Sequence, residues 1–193
     1  MAQDGIGGIL DDLDDLAGSE DTVSVADVMD KLGHRGSGVF LFVPAILGVS
    51  PLSAIPTLPT FFALIVLIVA VQIALGRDRV WMPRIIKSRA VDDDRLHSAV
   101  EWMRGPARRL DRWFGNRLEI LTGPAANRVA AILCAVLACI VPPLEFVPLA
   151  AALPHGAIAA IGLALVLRDG ILMLLAFAVS AGALYTAFAS IVF

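Results

Sequence analysis

Glu145 is the only acidic residue inside the long apolar blocks of this chain away from their Arg-Asp endings; it stands in the run Pro142-Pro143-Leu144-Glu145-Phe146-Val147-Pro148. A carboxylate in such surroundings is costly unless it is paired, hydrated or protonated. It is therefore a candidate to bind a proton or cation, or to orient a substrate hydroxyl. A second proline-rich run, from Ser50 and Pro51 through Ser53, Pro56, Thr57 and Pro59 to Thr60, offers hydroxyl groups. Proline removes a backbone donor and frees a carbonyl, so such a break must face protein or a wet cavity when it sits among lipid tails. Glu145, Ser50, Ser53, Thr57 and Gln72 make up the candidate substrate or ion site, with Thr60 lining the same break. The alternatives are structural: Glu145 as a wetted turn at the outer headgroups, Gln72 as an interhelical hydrogen bond, and His155 as a packed or interfacial imidazole.

Other chemistries find little support in the residues. Cys134 and Cys139 are five apart on one apolar stretch, so they point in different directions and meet neither disulfide nor zinc spacing. There is no Gly-rich phosphate loop followed by Lys-Ser or Lys-Thr, no His-Glu-x-x-His, no Ser-His-Asp set and no paired metal carboxylates in the apolar regions. The reading is of a protein with no catalytic residues, no metal and no cofactor. Nucleic acid is not an expected partner, because the net charge is -3 and no reading module is present.

The elements that must carry these residues are apolar helices. With 58% hydrophobic residues and a mean hydropathy of +0.81 over 193 residues, the chain has more apolar surface than a soluble fold of this size buries. Five apolar segments are expected, at about 38–50, 60–76, 125–141, 149–167 and 170–193. They repeat: Pro51 recurs as Pro142, and the Leu75-Gly76-Arg77-Asp78 ending recurs as Leu167-Arg168-Asp169, a shift of 91 residues. This predicts an all-α polytopic membrane protein with two homologous proline-broken helical hairpins, a central amphipathic interfacial segment and a C-terminal transmembrane helix. Arg77, Asp78, Arg168 and Asp169 are read as structural turns that pair the two halves, and Ala178, Gly182, Ala183 and Ser190 as small surfaces for close helix contact.

Charge sets the expected orientation. All 15 Lys and Arg residues fall before the first apolar block, between Arg77 and Arg128, or at Arg168. Two hairpins would bring them all to one face, the cytoplasmic one, and leave the C-terminus in the periplasm. In the centre, Leu96, Ala99, Val100 and Met103 form one apolar face and Ala107, Leu110, Trp113 and Phe114 another, with Gly105-Pro106 as the bend. Arg104, Arg108, Arg109, Arg112 and Arg117 surround that bend as candidate contacts to anionic lipid, with Trp81 and Trp102 as interfacial anchors. Half of the 18 acidic residues lie in the first 30. That arm reads as a flexible acidic tail, with no cleavable signal and one short helix, Val25 to Leu32, capped by Ser24 and Asp27.

Leu32-Gly33-His34-Arg35-Gly36, the breaks at Pro51 to Pro59 and Pro143 to Pro148, the stretch Gln72 to Arg77 leading to Trp81 and Pro83, Gly123, and the Arg168-Asp169-Gly170 turn together resemble the ExoD exopolysaccharide synthesis family of bacterial membrane proteins. The resemblance covers about residues 24 to 190. It implies an inner-membrane protein involved in exopolysaccharide production, and it supplies no catalytic residues. The expected organisation is a tail at 1–23 and one membrane domain at 24–193: repeat 1 at about 33–83, linker 84–122, repeat 2 at 123–169 and a final helix at 170–193. The expected function is accessory or regulatory, with membrane lipids, exopolysaccharide-assembly proteins and a second copy of the chain as partners. The alternatives are a small transporter or ion-coupled carrier using the broken helices and Glu145, and an enzyme acting on a lipid phosphate.

Overall fold

The computed structural model describes residues 6–18, 22–32, 36–51, 55, 57–77, 81, 90–92, 97–98, 100–105, 107–108, 123–145 and 150–192. These are mostly helical, with one short strand pair and the turns between elements. In chain order the elements are α1 (Ile6–Ala17), β1 (Thr22–Ser24), α2 (Val25–Leu32), α3 (Gly36–Val49), α4 (Leu58–Ala74), β2 (Ala90–Asp92), α5 (Pro124–Leu144), α6 (Ala152–Leu167) and α7 (Gly170–Val192). All five expected apolar segments are helices, with ends shifted by a few residues. α5 does not stop at Pro142. Proline near a helix C-terminus forfeits only its own donor to the preceding turn, and the Glu145 N–H still closes onto the Val141 and Pro142 carbonyls.

Helices α3, α4, α5 and α6 form a closed set of neighbours, α3 on α4, α4 on α5, α5 on α6 and α6 back on α3, while α7 packs mainly on α6. Their shared core is aliphatic, built around Leu41, Val66, Val69, Leu137, Val141, Ile158, Ile161 and Met173. Three contacts fix the directions. Gly38, early in α3, meets Gly162 and Val166, late in α6. Gly48, late in α3, meets His155, early in α6. Arg128, early in α5, lies over Gly76, just past α4. Neighbouring helices are therefore antiparallel, and both proline breaks come to the same end of the bundle.

The α3–α6 crossing is close because glycine permits it. A Cβ at Gly38 would stand 2.9 Å from the Gly162 carbonyl oxygen, and one at Gly162 would stand 2.8 Å from the Phe42 nitrogen. Both are nearer than real Cβ contacts come, so the two backbones touch where any side chain would part them.

The opposite end carries the charge and a smaller apolar cluster. Residues 6–17 were expected to belong to a flexible tail, and instead they form helix α1. Ile6, Ile9 and Leu10 lie on one side of α1 and pack with Leu32, Val100, Ala107, Val166 and Leu167, with Leu13 alongside. An apolar stripe at i, i+3, i+4 and i+7 is enough to dock a helix whose other face is acidic. β1 and β2 pair antiparallel, Thr22 with Asp92 and Ser24 with Ala90, and tie this arm to the central segment. The all-α expectation omitted that pair. Helix α2 has the bounds and cap expected: the Asp27 N–H donates to Ser24 Oγ at 3.2 Å, and the Ser24 N–H donates to Asp27 Oδ2 at 2.8 Å. The Ser24 hydroxyl and main-chain bonds hold the Asp27 carboxyl below its ordinary range.

Candidate functional site: the proline-break end of the bundle

Helix α4 begins abruptly. Thr57, its N-cap residue, has φ 73° and supplies no side-chain cap, while Pro59 in the first turn has no N–H to satisfy. The missing cap comes from far along the chain. Glu145, at the end of α5, accepts the Thr57 N–H at Oε1 and the Thr60 hydroxyl at Oε2. One carboxylate thus bridges the two breaks and stands at the positive end of the α4 dipole. The fold thus brings Glu145, Thr57 and Thr60 together from the two breaks.

His155 reaches the same turn from α6. It is fully buried, and its Nδ1 lies 2.8 Å from the Ala151 carbonyl oxygen. Nε2 makes no hydrogen bond of good geometry among the described residues, although the Pro59 carbonyl faces the ring. The imidazole lies flat against the Gly48 Cα, filling the space where a Cβ would be. Sequence reasoning treated His155 as a packed or interfacial imidazole. Its burial agrees, but its place beside the first turn of α4 was missed, and only the shared position of Pro154-His155 next to a break hinted at it.

The remaining candidates lie elsewhere. Ser50 ends α3 and its hydroxyl donates to the Leu47 carbonyl at 2.7 Å. Ser53 lies outside the described residues. Gln72 is near the other end of α4, twelve residues from Thr60, or about 18 Å along the helix. Its amide donates to the Ile68 and Trp81 carbonyls at 2.8 Å each and accepts the Trp81 N–H. Gln72 is thus a staple that folds the following chain back, with all of its described bonds made to main chain.

At the charged end Arg104 does not stand open to a lipid. Its guanidinium pairs with Asp11 at 2.9 Å and Asp14 at 2.8 Å, and His97 approaches Asp14 at 2.7 Å. Desolvation pushes the Asp14 carboxyl up, but the bonds to His97 and Arg104 outweigh it and hold the group below its ordinary range. Arg108 is exposed, as is Trp102, while Arg109, Arg112 and Arg117 lie outside the described residues. The turn residues are placed as follows among the described residues. Asp169 is buried and caps α7 by accepting the Ile171 and Leu172 N–H groups at 2.9 and 3.0 Å. Arg168 ends α6 in a left-handed conformation, Arg77 is exposed and Asp78 lies outside the described residues. Cys134 is buried and Cys139 exposed, on different sides of α5 as their spacing requires.

Among the described residues one helix, Pro124–Leu144, is long and apolar enough to cross a membrane; Leu58–Ala74, Ala152–Leu167 and the two other apolar stretches, Ser37–Val49 and Gly170–Thr186, are shorter. No group of three or more metal-ligating side chains occurs among the described residues.

No solved structure matches the chain. A curated relative, "Protein ExoD" of Rhizobium meliloti (strain 1021), is 29% identical over 157 residues, covering 79% of this chain and 63% of its own length. The chain thus spans less than two thirds of the relative. The profile of the family described as "Exopolysaccharide synthesis, ExoD" matches residues 7–189, from α1 into the last turns of α7. By this near-complete match, the chain belongs to the exopolysaccharide synthesis family ExoD.

Proposed function

We propose that this protein is embedded in the bacterial inner membrane and takes part in exopolysaccharide synthesis, in an accessory or regulatory role without catalysis of its own. The observation that carries the membrane placement is where the bundle puts its apolar side chains. Val43 and Ile46 on α3, Phe61 and Leu64 on α4, Val129 and Ile132 on α5, Leu153 on α6 and Leu174 and Leu175 on α7 are all exposed. A water-soluble bundle turns such residues inward, and apolar patches this extensive are covered by something. The described basic residues Lys31, Arg77, Arg104, Arg108, Arg128 and Arg168 belong to the end opposite the breaks. Facing that end to the cytoplasm satisfies the positive-inside rule and leaves the breaks and Glu145 toward the periplasm. Family membership supports the role in polysaccharide production.

Two homologous hairpins fit the antiparallel ring of α3 to α6, since exchanging the hairpins exchanges the α3–α6 contact for the α4–α5 contact. Reporter fusions after residues 104 and 193 test the placement, with cytoplasmic activity expected at the first and periplasmic activity at the second. Deleting the gene in its host is expected to lower secreted polysaccharide, and complementation to restore it; unchanged yield removes the role.

A second reading, a small ion-coupled carrier, is favoured by Glu145 bridging two interrupted helices. Proteoliposomes loaded with a pH-sensitive dye distinguish it. A proton flux that Glu145→Gln abolishes supports the carrier, and absence of flux in wild type argues for the accessory role.

A further inference from the structure

From Gly36 to Ala74, and again from Val129 to Leu167, the chain contains no Asp, Lys, Arg or Tyr, one Glu and one His. Those two residues are Glu145 and His155, and the fold sets both against the first turn of α4. Glu145 binds Thr57 and Thr60; His155 faces the Pro59 carbonyl between them. Two polar groups placed at random along these helices would rarely converge on one turn.

We propose that Glu145 and His155 form a proton-binding couple across the start of α4, with His155 taking up the proton and Glu145 supplying the compensating charge. The neutral ring has one N–H, and Nδ1–H spends it on the Ala151 carbonyl. Nε2 is then a buried lone pair with no donor among the described residues and an acceptor, the Pro59 carbonyl, facing the ring. Neither tautomer satisfies two carbonyls, whereas the imidazolium, with two N–H groups, does. A buried cation needs an anion nearby, and among the described residues at this end Glu145 is the candidate. α3, α4 and α6 bring no other acid or base to this end. The break residues 52–54, 56 and 146–149 contain none either, so among the described residues and the breaks themselves Glu145 is the acid at hand. Cys134 and Cys139 on α5 and Tyr185 on α7 are the remaining titratable groups along the packed helices; Cys134 is buried at mid-helix, Cys139 and Tyr185 are exposed, and Arg128 lies at the opposite end. Uptake requires only that one proton bind at Nε2, with no bond broken elsewhere. It would draw the α6 start, the α4 start and the α5 end together, making their contact depend on proton concentration.

The test is a histidine-ring and carboxyl NMR titration of the full chain in nanodiscs between pH 4 and 9, with His34→Gln and His97→Gln removing the other two imidazoles. The expected result is a His155 titration and a step in the Glu145 carboxyl carbon shift at the same pH. In Glu145→Gln, which keeps an acceptor for Thr57, the His155 midpoint is expected to fall by about half a unit or more, an about threefold loss of proton affinity. A His155 ring that does not titrate, a Glu145 signal indifferent to it, or an unchanged midpoint in Glu145→Gln overturns the proposal. The carboxyl signal needs no substitution at the site, so the test survives if Glu145→Gln fails to fold. Its outcome is separate from the topology and yield experiments above.

Discussion

The two ends of the bundle solve the same problem, securing chain ends and turns, with opposite materials. At the basic end many charges are present and each is weakly held: Arg104, Asp11, Asp14, His97 and Lys31 pair at or near the surface, where water and salt screen them. At the break end the described acidic and basic side chains are Glu145 and His155, and each has a main-chain group of the α4 start to answer to. Scarcity raises the value of a polar contact, because nothing else can replace it.

This contrast makes graded predictions. The largest effect is expected away from charge altogether. Gly162→Leu would drive a side chain into the Phe42 backbone, and a loss of about 3 kcal/mol or more, seen as a collapse of the thermal unfolding midpoint in detergent, is the expected outcome. Next comes Glu145→Ala, which leaves the Thr57 N–H and Thr60 hydroxyl without their acceptor; a loss of about 1 to 3 kcal/mol is expected by denaturant unfolding. If it costs no more than an exposed carboxylate would, the two ends do not differ in kind. Gln72→Leu releases the Trp81 main chain and is expected to cost about 1 kcal/mol, with a shift in Trp81 fluorescence that Gln72→Glu partly prevents.

Smallest in stability, and most sensitive to salt, is Asp14→Asn. It is expected to leave the unfolding midpoint within scatter while raising protease cleavage within residues 11–18, an effect that high salt reproduces in wild type. The pH dependence has a definite sign. The Asp14 carboxyl is depressed in the folded chain, so its contribution is complete above the ordinary value of 3.8 and fades as pH falls through the lower folded value. Protection of α1 should therefore hold at neutral pH and weaken only in acid below about pH 4.

Much of this was readable in advance, for physical reasons that differ by element. The apolar helices are long stretches with little else to become, and Ser24 with Asp27 is a local cap whose signal lies within four residues. α1 was misread because Asp11, Asp12, Asp14 and Asp15 drew attention to charge, although Ile6, Ile9, Leu10 and Leu13 already carried a helical stripe. The pairing of β1 with β2 has no local signature, since three residues per strand are too few for a period to show. At the site, Glu145 stood out by its isolation. His155 did not, because a single histidine beside a proline is common, and what gives it weight is the Gly48 surface and the Pro59 carbonyl it meets in three dimensions. Arg104 illustrates the reverse: its type and neighbours suggested a lipid contact, and the acidic residues that occupy it are some 90 positions earlier.

The β1–β2 pairing also orders events during synthesis. Both α3 and α4 lie between its strands, so β1 cannot pair with β2 until the ribosome has made those helices and moved beyond them. The β1 segment is thus among the later parts to find its seat, settling at the bundle end only after α3 and α4 have been made.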